Sequence, residues 1–190
     1  MKTLAFFMGY IAIVAASPLL KLDIGKQKTP TGPFQFTSTY SVKVDPRAVV
    51  DANNNPTGGV AGASGLFQYG INSYENIICY NLTLDGFRGE YQSPALTATH
   101  IHEAPVGKPG PPRIAFPNPQ GPEGGRRTSI GCLRGPFLTG VRVDGKDTGE
   151  GFHVEQIERN PSAFFTDVHS SLAVPGAVRG QLDGRNECQG

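Results

Sequence analysis

Two of the chain's four histidines, His100 and His102, stand one residue apart within residues 96–105 (LTATHIHEAP), a run of β-prone residues bounded by prolines. Successive side chains of a strand point to opposite faces, so these two imidazoles share one face and Ile101 takes the other, toward a core. The strand rise sets their Cα atoms roughly 6–7 Å apart, close enough to converge on one metal ion. Two imidazoles alone bind a metal weakly, and the bland alternative is a pair of histidines on the wet side of a half-exposed strand. A third candidate ligand lies in residues 163–169 (AFFTDVH), where Phe165, Asp167 and His169 fall on one face of a second strand. If the two strands are neighbours, three neutral imidazoles meet, and three histidines with an open position suit copper, or less readily zinc. Asp167 is read first as a plain solvated charge, with an outer partner holding an imidazole N–H, or a direct ligand, as the alternatives. Glu103 points away from His102, and His153, at the start of a helical stretch, reads as a surface or cap-adjacent histidine.

The elements that must position these residues are β-strands. Residues 34–44 (FQFTSTYSVKV) alternate apolar and polar, as a half-buried strand does. Residues 63–69 and 76–84 are further strand candidates, and residues 51–59 (DANNNPTGG) form a turn-rich loop. Residues 129–138 and 140–143 are each strand or loop edge. Residues 176–182 close the fold. Short strands spaced by turns predict an antiparallel β-sandwich with one short helix, over residues 154–160 ahead of Pro161. Residues 105–125 are dominated by Pro and Gly, with one apolar island at 114–116, and a loop of that length in a compact domain tends to be functional.

Residues 1–16 carry an early lysine, an uncharged apolar run and small residues, the pattern of a secretory signal peptide cleaved after Ala16. That run is too short to span a bilayer, so no membrane insertion is expected. Residues 17–33 read as an extended lead-in, 34–183 as one domain and 184–190 as a tail. A formal net charge of +1 without a basic stripe removes the electrostatic footprint of a nucleic-acid binder. Three cysteines in a secreted chain permit one disulfide. The loop-like setting of Cys132 and the terminal one of Cys188 favour that pair, with Cys79 a buried thiol in an apolar run. Asn81 heads a glycosylation sequon.

Four segments, THIHEA at 99–104, GPPR at 110–113, FTDVHS at 165–170 and above all GAVRGQL at 176–182, resemble the chordin-type CHRD domain over residues 34–182. That resemblance implies a secreted Greek-key β-sandwich, with no established enzymatic activity. A second similarity is to copper/zinc superoxide dismutases, which place a His-x-His-Glu on one strand and a Val-His on a neighbour and use those histidines for copper. The matching positions are His100, His102 and His169. The bridging histidine and the later ligands of that family are missing, since residues 105–125 hold no histidine or aspartate. Arg179 and Arg113 are candidates for a structural bond or an anion contact, Arg179 pointing outward to a carboxylate or loop carbonyl. Two functions follow as expectations. One is an extracellular module whose Pro/Gly loop meets a protein, matrix or cell-wall partner. The other is a copper protein with redox chemistry such as superoxide dismutation.

Overall fold

The structure, a computed structural model, describes residues 35–183. The signal segment, the whole lead-in, the tail and Cys188 lie outside the described residues. Alternating burial marks the strands β1 Ser38–Val44, β2 Ser64–Asn72, β3 Ile77–Asp85 and β6 Arg127–Arg134, which form one antiparallel sheet in the order β1-β2-β3-β6. The second sheet holds β4 Thr99–Glu103, β5 Pro112–Phe116, β9 Phe164–Ser170 and β10 Ala173–Gln181, in the order β10-β9-β4-β5. A ribbon of β7 Arg142–Val143 and β8 Lys146–Asp147 and the helix α1 Glu155–Arg159 occupy the connection from β6 to β9. The chain leaves the first sheet after β3, forms β4 and β5, and returns as β6 beside β3, a Greek-key connection.

The core lies between the sheets. Phe67, Ile71, Ile78, Leu82 and Leu84 face Ile101, Ile114, Phe116 and Val178, all fully buried. Phe116 ties the layers together, its ring 5.5 Å from Tyr69 and 5.1 Å from Tyr80 between centroids. The Tyr69 hydroxyl reaches Thr166 Oγ1 at 2.7 Å, so the phenol buried at the interface keeps a partner. Gly180 in the GAVRGQL motif is a close-approach residue. A Cβ there would stand 2.4 Å from the Lys43 carbonyl oxygen and 2.6 Å from a Val42 methyl, where β1 crosses β10.

Two sequence expectations are corrected. The apolar island at 114–116 is part of β5 rather than an island in a loop, because Ile114 and Phe116 face the core and pair with β4. The disulfide joins Cys132 to Cys79, not to Cys188. Cys79 lies in β3 on the face away from the core, directly opposite Cys132 of β6, so the residue read as a buried thiol points outward at its partner. The apolar run around it, residues 77–80, gave no warning, because alternation sends Ile78 and Tyr80 inward and Cys79 outward.

Candidate metal centre

The face of the second sheet that looks away from the core carries the site. In β4, Thr99 and Ile101 point inward, so His100 and His102 emerge together on the outer face. In β9, Phe164, Thr166 and Val168 point inward, and Phe165, Asp167 and His169 emerge beside them. The antiparallel register sets His100 opposite Asp167 and His102 opposite Phe165. On the other flank of β9, Arg179 of β10 stands opposite Asp167. One row across the sheet therefore reads Arg179, Asp167, His100.

This outer face is not wet. The segments around 49–52, 109–110 and 174–175 line the space above it, and His100 is 1% exposed, His102 8% and Asp167 4%. Asp167 is the hub. Its Oδ1 lies 3.6 Å from His100 Nδ1 and 3.2 Å from His102 Nε2, and its Oδ2 lies 3.2 Å from His169 Nε2. One ligand atom from each of the four residues falls within 4.8 Å of the others. Asp167 is thus at the centre, able to ligate directly, and the solvated-charge reading is overturned by its burial.

Each imidazole is held from behind. His100 Nε2 donates to the Thr97 carbonyl at 2.7 Å, His102 Nδ1 to Gly110 at 2.8 Å, and His169 Nδ1 to Val174 at 2.9 Å. A carbonyl only accepts, so the bonded nitrogen carries the proton, and in each neutral ring the other nitrogen presents a bare lone pair. Those lone pairs are directed at the carboxylate, itself an acceptor. His100 Nδ1, His102 Nε2 and Asp167 Oδ1 accordingly have no hydrogen-bond partner among the described residues although buried. Leaving such atoms unpartnered costs about 1–3 kcal/mol each, and a cation among them would satisfy all of them at once. Four N/O donors, with each imidazole fixed by a main-chain carbonyl, fit a bound transition metal.

Without a cation the cluster must share protons. Burial would raise Asp167, but the surrounding imidazoles prevail and hold its carboxyl well below the usual carboxylate range. Burial pushes His169 down, yet the Asp167 charge and the Val174 carbonyl outweigh it and lift this imidazole to about 9. Burial dominates at His100 and lowers it. A metal ion arriving at neutral pH would displace the His169 proton.

Among the remaining expected residues, Arg179 lies beside the cluster with its guanidinium carbon 3.5 Å from the centroid of the Phe165 ring, which also stacks on His102. Arg113 lies apart, bonded to Glu103 at 2.8 Å and to the Thr148 carbonyl at 2.6 Å. His153 Nδ1 accepts from the Glu155 amide at the start of α1, as a cap-adjacent histidine does. Asn81 is exposed on the outer face of β3. Sequence reading missed Thr97, Gly110 and Val174, which act through main-chain carbonyls that leave no residue-type signature. Gly110 alone had a signal. A Cβ there would stand 2.1 Å from the Glu103 carbonyl oxygen, so only glycine lets the loop come close enough to receive His102.

Among the described residues no helix is long and apolar enough to cross a membrane. No curated protein and no solved structure matches the chain. The CHRD domain pattern does match, over residues 40–182, from β1 to the residue after β10, and so spans both histidine strands and the arginine strand. The chain belongs to the CHRD domain family.

Proposed function

We propose that this CHRD-domain protein is a secreted metal-binding protein whose ion is held by His100, His102, His169 and Asp167. The observation that carries the reading is the orientation of the rings. Three imidazoles from two strands each use one nitrogen on a main-chain carbonyl and aim the other at one buried carboxylate. Hydrogen bonding within the protein leaves that centre frustrated, and a divalent cation relieves it.

Copper is the metal of choice. Nitrogen-rich sites of this kind bind Cu(II) most tightly among the first-row divalent ions, and the set lacks the thiolates of a structural zinc site. Copper supplies one-electron redox chemistry when bound, and the chain's contribution is to fix the rings, limit water and leave one side of the cluster facing a cavity. The signal-peptide pattern and the disulfide support an extracellular setting, where glycosylation at the exposed Asn81 would be compatible with the fold. Within residues 105–125, 109–110 line the metal side and Pro112–Phe116 is a strand, which leaves 105–108 and 117–125 as loop for the partner-surface reading.

The test is the metal content of natively secreted protein by mass spectrometry, beside a His100→Ala/His102→Ala/His169→Ala variant checked for folding by circular dichroism. About one copper per chain, lost in the folded variant and restored to the stripped wild type by titration, is the expected result. Metal absent from both proteins, with no tight uptake on titration, overturns the proposal.

A further inference from the structure

Arg179 is a buried cation without an anion. It is 4% exposed, and among the described residues the one hydrogen bond of its guanidinium is a long one of 3.4 Å to the Pro105 carbonyl. Among the described residues no carboxylate lies within ion-pair distance of it. Its cross-strand neighbour Asp167 turns both oxygens to the imidazoles. A guanidinium has five donors, and among the described residues only His100 Nδ1, His102 Nε2 and Asp167 Oδ1 are buried without a partner, so the free donors of Arg179 open on the neighbouring cavity, where a ligand can supply acceptors.

The space beside Arg179 has a definite chemistry. A cavity of about 300 Å³ is lined at one end by His102, Asp167, His169 and Arg179, and elsewhere by apolar side chains that include Val49, Val50, Val174 and Pro175. The one other acid on its wall, Asp51, is committed to its own loop, accepting from the Asn53 and Asn55 amides at 2.8 and 2.9 Å. His100 is absent from the lining, so the cavity reaches the cluster from the side of His102 and His169. A volume at the low end of ligand pockets suits a small molecule. The polar end offers a planar guanidinium fork beside the metal position, and such a fork matches a carboxylate. The remaining walls suit hydrocarbon.

We infer that this cavity binds a small organic monocarboxylate, its head between Arg179 and the metal and its short apolar body against Val49, Val50, Val174 and Pro175. The inference rests on the metal reading above and names the ligand class of that same centre.

Copper-loaded wild type, Arg179→Gln and Pro175→Asp proteins are titrated with benzoate, with the series acetate, butyrate and hexanoate, and with azide as a purely inorganic anion. The Cu(II) absorption and electron paramagnetic resonance spectra report binding. Pro175 is exposed and its carbonyl holds none of the imidazoles, so its aspartate variant keeps the fold while setting a like charge beside the carboxylate. Expected are a benzoate dissociation constant raised at least tenfold by each substitution, and a gain of about two- to fourfold per methylene along the aliphatic series in wild type. Copper should stay stoichiometric in all three proteins. Equal benzoate affinity in wild type and both variants, or azide binding with no gain along the series, overturns this inference and leaves the metal centre standing. Failure of wild type to take up copper overturns both.

Discussion

Replacing Asp167 by asparagine should change the stability of the metal-free protein in a direction that reverses with pH. In the stripped protein His169 is protonated at neutral pH, raised to about 9 mainly against burial by the carboxylate 3.2 Å away. A histidine whose folded value lies above its unfolded value of about 6.5 contributes stability that is fully present below pH 6.5 and lost as pH rises through 9. At about 1.4 kcal/mol per pH unit, the difference between those two values is worth about 3 kcal/mol. Asparagine forfeits that ion pair, so near pH 6 the variant should be less stable than wild type by about 3 kcal/mol. Near pH 9.5 the pair is gone, and Asp167 faces bare ring nitrogens with its Oδ1 unpartnered. There an asparagine amide can donate to His100 Nδ1 or His102 Nε2, recovering about 1–3 kcal/mol for each atom satisfied, and the variant should match or exceed wild type. Urea unfolding of chelator-treated wild type and Asp167→Asn at pH 6, 7.5 and 9.5 measures the difference, and groups that titrate alike in both proteins cancel. A wild-type advantage that is constant across this range, or that grows with pH, would refute the reasoning about the hub.

Other expectations follow from the same geometry. Copper uptake at pH 7.5 should release about one proton per ion, read as a buffer-dependent enthalpy in titration calorimetry, because His169 must give up its proton to ligate. Gly110→Ala should weaken copper binding about 10–100-fold, since its Cβ drives the loop carbonyl away from His102 Nδ1, and a competition titration against a copper chelator will show it. Cys79→Ser should lower stability by about 4 kcal/mol, from the loop entropy of a bridge between residues 53 apart, without altering copper stoichiometry. Phe116→Ala should cost about 3–5 kcal/mol in urea unfolding, because it empties the contact between Tyr69 and Tyr80 that joins the two sheets.

Local order in the sequence determined a good deal. Alternation marked the strands, and because the side-chain period of a strand is two, it also put His100 with His102 and Asp167 with His169 on shared faces before any tertiary information entered. The helix was legible from the spacing of Val154 and Ile157 and the stop at Pro161, and the structure places it at Glu155–Arg159. Tertiary structure alone decided which strands are neighbours and in what register, since strand pairing is a long-range choice that no local pattern encodes. That choice brought His169 to His100 and His102, moved Asp167 from an expected solvated charge to the hub, and put Cys79 rather than Cys188 opposite Cys132. It also separated the two candidate arginines, leaving Arg113 in an ion pair with Glu103 and Arg179 at the cavity with no ion pair among the described residues. The burial of the histidine face was likewise invisible locally. Half-exposed strands and strands roofed by loops share one alternating pattern, and only the fold shows that the carbonyls of Thr97 and Gly110 in loops and of Val174 in β10 each reach a ring and orient it.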